Sequence, residues 1–211
     1  MYQDNNSNKV IIQKGFMSFD DLITAVKNLN SKIDITANNI VLHFRYATQG
    51  SITEANTHPF PITANIKELK QTTITTNTAM VHNGIIPFCS DYNSMNKLSD
   101  TQIFIRDYLS KMDNRTIFNP AVLALIEELT NSKFIFMDNS RVKMLGRFIE
   151  DKGIYYSNDT YKKTRWYKTS KSKNSKKIYM YSIIDYCAYC GQYGHVDKYN
   201  GLCSQCQEIL K

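Results

Sequence analysis

Arg45, Thr48, Asn83, Gly84 and Asp100 are the residues whose types suit one small, strongly polar ligand. Arg45 and Thr48 lie in "HFRYATQGSITEANTHPF" (43–60), where the apolar "NIVL" gives way to a dense run of hydrogen-bonding groups. A guanidinium at such a mouth forms a two-pronged bond with a carboxylate. Asn83 and Gly84 close a second apolar run, "TAMVHNGII" (78–86). An Asn amide beside a Gly N–H, with no Cβ in the way, supplies two donors for an oxyanion. Asp100, at the start of an amphipathic run, suits an ammonium group.

A second set is made of cysteines. "CAYCGQYGHVDKYNGLCSQC" places Cys187 and Cys190, then Cys203 and Cys206, as two CxxC pairs separated by twelve residues. Each turn aims two thiolates at one point, and four thiolates close a tetrahedral Zn2+ site with no open position for water. This predicts a structural zinc ribbon over 181–211, dependent on its metal for folding. His195 in place of one cysteine, and redox-active CxxC pairs, are the alternatives. The fifth cysteine, Cys89, reads as a small buried apolar residue.

The elements that must position these residues alternate between strand and helix signals. "KVIIQKG" (9–15) predicts a strand closed by Gly15. "SFDDLITAVKNLN" (18–30) predicts a helix, with Ser18 as N-cap and Leu22, Val26 and Leu29 on one face. The runs at 39–47 and 78–86 predict buried strands delivering residues to a site. "SDTQIFIRDYLSKM" (99–112) predicts a helix capped by Ser99 or Asp100, and "NPAVLALIEELTN" (119–131) one with Asn119 as cap and Pro120 at its first position. Residues 133–158 predict a three-stranded meander. The sum is α+β with a mostly antiparallel sheet.

Carboxylate, ammonium and amide carbonyl are the three polar ends of free glutamine. The segments "HFRYATQG…NTHPF", "MVHNGII" and "SDTQIF" resemble, in order, three motifs of the glutaminase domain of class II glutamine amidotransferases, which are N-terminal-nucleophile (Ntn) hydrolases. The resemblance covers most of residues 8–160, and "FIFMDNSRVKMLGRFIEDKGIYYSN" is similar to the end of small phage-type relatives. It implies a layered α/β/β/α sandwich. It also implies that Arg45, with Thr48 nearby, binds the substrate carboxylate, that Asn83 and Gly84 form the oxyanion hole, and that Asp100 holds the amino group. Gln49 stands where some members carry histidine. The family's nucleophile is an amino-terminal cysteine whose own α-amine is the base. This chain begins Met1-Tyr2, and few residues precede the strand signal at Lys9. The expectation is therefore either a start that is truncated or misassigned, with the nucleophile encoded upstream, or an amidotransferase fold inactive as given and lacking its N-terminal nucleophile strand, with an exposed edge open to a second copy or a complementing peptide.

Of the 211 residues, 42% are hydrophobic, enough for a packed core. No apolar run is long enough to span a membrane, the polar "MYQDNNSNKV" does not read as a secretion signal, and the cysteine usage predicts a reducing cytoplasm, a host's if the Asn-, Lys- and Ile-rich composition reflects an AT-rich viral genome. The net charge of +7 belongs to "KKTRWYKTSKSKNSKK" (162–177), which holds eight Lys or Arg and no acid. With Tyr161, Trp166, Tyr167 and Tyr179 interleaved, this reads as an exposed linker or as a nucleic-acid-binding segment. The predicted organisation is 1–161 amidotransferase-like, 162–180 basic linker and 181–211 zinc ribbon. Two functional classes remain: a glutamine-binding, ammonia-supplying domain, and a non-catalytic module that binds nucleic acid or protein through the linker and ribbon.

Overall fold

The computed structural model describes residues 1–4, 6–31, 33–34, 37–44, 53–90, 98–160, 182–187, 193–197 and 202–209. The chain divides into two compact units, Met1–Arg147 and Phe148–Lys211.

The first unit opens with an antiparallel hairpin, β1 (Tyr2–Asp4) and β2 (Lys9–Gln13). The Asp4 carboxylate shapes the turn by accepting from the amides of Asn6 at 3.2 Å and Ser7 at 3.3 Å. This corrects the expectation of a missing first strand. Three polar residues suffice because both edges of β1 are paired. On the side away from β2, Tyr2 bridges Ile40, and the Val41 amide donates to the Met1 carbonyl at 2.9 Å. Gln3 is buried without an apolar side chain, donating to the Asp138 carbonyl at 2.7 Å and accepting from Asn39 at 2.8 Å. The edge on which a second copy or peptide was to pair is filled by residues of this chain.

Next come α1 (Phe19–Asn30), β3 (Phe60–Pro61), α2 (Ile66–Lys70), β4 (Thr73–Thr76) and β5 (Thr78–Asn83). Ser18 caps α1, its Oγ accepting from the Asp21 amide at 3.1 Å. The predicted buried strand over 39–47 is not formed where it is described. Ile40 makes one isolated bridge, and Leu42 and Phe44 are exposed. The apolar run alternates in and out, with Val41 packed inward, so it lines one face only.

The helices α3 (Pro87–Ser90), α4 (Asp100–Asp107), α5 (Asn114–Ile117) and α6 (Pro120–Thr130) precede β6 (Lys133–Asp138) and β7 (Val142–Leu145). Ser99 caps α4 in a reciprocal box with Gln102, and Asn119 caps α6 ahead of Pro120. Gly146 then ends the sheet. Its φ is +86°, and a side chain there would meet Lys133 Cγ at 2.8 Å. The predicted three-stranded meander is therefore two separate hairpins, β6–β7 and, in the second unit, β8 (Ile149–Asp151) with β9 (Ile154–Tyr156).

Two sheets, ordered β1-β2-β4 and β3-β5-β6-β7, carry the first unit, and all their pairings are antiparallel. Strand alternation sorts the core into layers. Ala79, Val81 and Met137 join Val10 and Ile12 between the sheets. Met80, Phe134 and Phe136 point the other way, against Ile103, Phe104, Ile105, Leu123 and Ile126 of α4 and α6. Sheet packs on sheet, and the second sheet packs on helices. The fold class is α+β.

The second unit continues with the hairpin of β10 (Ser182–Tyr186) and β11 (Tyr193–Asp197), followed by α7 (Ser204–Ile209). Among the described residues, no helix is long and apolar enough to cross a membrane. The basic run of 162–177 lies outside the described residues.

Candidate functional site

β5 ends in His82, Asn83 and Gly84. Asn83 is exposed, opposite Lys133 in the register. Gly84 has a φ of +149°, and a Cβ on it would lie 2.3 Å from Ser132 Oγ. Both the backbone and the neighbouring side chain therefore require glycine. The chain turns through Ile85 and Ile86 and enters α3.

Asp100, the first residue of α4, is held against this turn. Its Oδ2 accepts from the Ile86 amide at 2.9 Å, and its Oδ1 from the Thr101 amide at 2.7 Å. A carboxylate has about four lone-pair sites, so two such bonds fix its plane and leave capacity for a cation. The structure thus brings Asp100 to the segment that follows Asn83 and Gly84. Arg45, Thr48 and Gln49 lie outside the described residues.

His82 also belongs to this region, at the inner end of β5. It is 3% exposed and stacks on Phe134 with ring centroids 4.6 Å apart. Its Nδ1 lies 2.9 Å from Thr101 Oγ1. Burial pushes its pKa down to about 4, with His43 adding to the fall and Asp100 opposing it. His58 lies 4.4 Å from His43, the two rings tilted by 42°, and 6.4 Å from His82, between centroids. The signal was present in the sequence: a polar residue on the inward parity of a strand, with Met80.

Lys14, just past β2, was also unforeseen. It is 5% exposed and donates to the carbonyls of Leu69 at 2.8 Å and Ala55 at 3.1 Å. Its ammonium sits 3.9 Å from the centre of the Phe60 ring. Burial pushes its pKa down to about 7. Gln102 donates to the same Ala55 carbonyl at 3.4 Å. The turn at 54–56 is thereby tied to β2 and α4.

Cys89 is 1% exposed within the core. Burial first, then Asp100 and Asp107, push its thiol up to about 12, so it stays protonated and unreactive. A cleft of about 270 Å³ is lined by Phe88, Cys89, Ile103, Asp107, Tyr108 and Lys111, and none of the described candidate ligand residues is among them.

In the second unit the sulfurs of Cys187, Cys203 and Cys206 all lie within 4.8 Å of one another. Three thiolates around one Zn2+, each about 2.3 Å from the metal, stand just under 4 Å apart, so the spacing fits that ion. The Cys203 amide donates to Cys187 Sγ at 3.2 Å, a bond that favours a thiolate. Cys190, the fourth predicted ligand, lies outside the described residues, as does the side chain of His195.

Residues 2–86 match the family model of the class II glutamine amidotransferases. The matched segment runs from β1 through the Asn83–Gly84 turn, and stops short of Asp100 and the cysteines. No curated protein and no solved structure matches the chain. Over its matched part the chain is glutamine amidotransferase-like, and that family takes glutamine as its substrate.

Proposed function

We propose that the first unit binds free glutamine in an Ntn-hydrolase-like fold. Asp100 takes the ammonium group, Arg45 with Thr48 takes the carboxylate, and Asn83 with the Gly84 N–H takes the amide oxygen. The observation that carries this reading is the bond from Ile86 N–H to Asp100, which fastens a cation-binding carboxylate to the turn holding the two donors. The family match over 2–86 supports it independently.

Hydrolysis would need a thiol on an amino-terminal residue with a neutral α-amine to accept its proton. Burial pushes the α-amine of Met1 down to about 5, and it donates to the Val41 carbonyl at 2.8 Å. A base is therefore available at that position at neutral pH. The test uses two polypeptides: this chain, and a Met1→Cys variant made by removal of a preceding Met. Calorimetry should show glutamine binding by both, and ammonia release should come from the Met1→Cys variant alone. If neither binds glutamine at millimolar concentration, the reading is wrong.

For the second unit we propose a structural Zn2+ held by Cys187, Cys190, Cys203 and Cys206. The mutual approach of three of these sulfurs supports it.

A further inference from the structure

Asp100 is held by more than backbone amides. Thr101 Oγ1 lies 3.3 Å from Asp100 Oδ1 and 2.9 Å from His82 Nδ1. A threonine hydroxyl has one proton to give. A carboxylate is the stronger acceptor of the two, because bonds to an ionised group are the stronger kind. With the hydroxyl proton directed to Asp100, the proton between Thr101 and His82 belongs to the imidazole. The ring is then the neutral Nδ1–H tautomer. Its Nε2 is a bare lone pair, buried, with no hydrogen-bond partner among the described residues, 3.2 Å from where a Cβ on Gly84 would stand. One ring therefore touches both halves of the candidate site. Its Nδ1 side reaches Asp100 through Thr101, and its Nε2 side lies beneath the Gly84 turn.

We propose that His82 is a positioning residue for ammonium recognition: through Thr101 it aims the Asp100 carboxylate, and its ring seats the Gly84 turn. This rests on the glutamine-binding reading above and adds the residue that sets its selectivity for an α-amino acid. A positive ring here would face the ligand's own ammonium across Asp100. The charged or titratable groups around the ring are Asp100, His43 and His58. The buried ring stays neutral at physiological pH, so the carboxylate keeps its whole charge for the ligand.

The test compares glutamine with glutaramate, which has the same carboxylate and side-chain amide but no amino group. Calorimetric Kd values are measured for the full-length wild type and for H82F, H82N and T101V. Phenylalanine keeps the stacking on Phe134 and removes the hydrogen bond. Asparagine places an N–H close to the position of Nδ1. Wild type should prefer glutamine to glutaramate. H82F and T101V should each weaken glutamine about tenfold or more and leave glutaramate within twofold, while H82N should recover most of the preference. Nitrogen-15 shifts of His82 should report the Nδ1–H tautomer.

Equal loss for both ligands in H82F and T101V would mean that the ring only packs, and would overturn the proposal. So would an unchanged preference in those variants. If wild type binds both ligands equally, Asp100 is not an ammonium site, and the glutamine reading fails together with the inference. Should H82F fail to fold, T101V and H82N carry the same comparison.

Discussion

The Asp100 region and the cysteine cluster each hold several polar groups close together, by opposite means. Asp100 stands on α4, whose inner face enters a cluster of sixteen buried residues, so the protein has ample apolar surface to fix it without help. The cysteine cluster has a described core of three buried residues, and two of them, Cys187 and Cys206, are themselves proposed metal ligands. On the readings proposed above, the first site is an outcome of folding, and a bound Zn2+ would supply folding energy to the second. A large core can pre-position a carboxylate for a ligand that comes and goes, whereas a unit this small has to keep its ligand.

That contrast breaks most visibly on metal removal. Structural zinc contributes about 10–16 kcal/mol in comparable small modules. A strong chelator, or Cys203→Ser, should therefore abolish the folded methyl resonance of Val196. The Met80 and Met137 resonances of the first unit should stay in place. Loss of both sets together would end the idea that the two regions hold themselves independently.

A smaller effect is expected within the large core. Gly84→Ala combines a φ open mainly to glycine with a collision against Ser132, and should cost about 2–4 kcal/mol in urea titration. Ser132→Gly added to it should relieve the collision and recover only part of the loss. Full recovery would show that the backbone conformation there is unstrained.

Lys14 sharpens the comparison through pH. Its ordinary pKa is 10.5 and its buried one about 7. Between those values the unfolded chain holds more protons, so stability rises with pH. The Met1 amine, moved from 8.0 to about 5, produces a similar rise that is complete by about pH 8. Cys89, moved from 9.0 to about 12, lowers stability above pH 9. From pH 8 to 9 the rise belongs to Lys14, at about 1.4 kcal/mol per pH unit. Urea titrations read on the Met80 methyl should show it in wild type and not in Lys14→Met. At pH 7 that variant should also be about 2 kcal/mol weaker, because two carbonyls lose their donor. A slope that survives in Lys14→Met would assign it elsewhere.

The smallest change is at the surface. Ser18→Ala removes the cap of α1 and should cost about 1 kcal/mol, seen as faster amide exchange in its first turn.

The parts legible in the sequence were those with local causes. Ser18, Ser99 and Asn119 marked helix starts because a cap acts within three residues. The 78–83 strand was legible because it is buried on both faces. β1 was not, since its three residues are polar and Gln3 is buried only by partners 36 and 135 positions away. Lys14 reads as a surface lysine beside a turn, and only the assembled fold encloses it. The break after β7 depends on Lys133 standing where a side chain at position 146 would go. At the candidate site, Asn83, Gly84 and Asp100 were singled out by residue type and order, and the structure adds that Asp100 is bonded to the turn that follows the other two. The intermediary between them, His82 with Thr101, required the strand and helix to meet.

The pairing of β1 also bears on the order in which the chain assembles. Gln3 is bonded to the carbonyl of Asp138, so β1 is anchored to a residue made 135 positions later. On the ribosome, the hairpin of β1 and β2 can form early, but it has no sheet to lie against until β5 and β6 emerge. The opening residues are therefore among the last of this unit to be locked, and a nascent chain arrested before residue 138 should leave them open to protease.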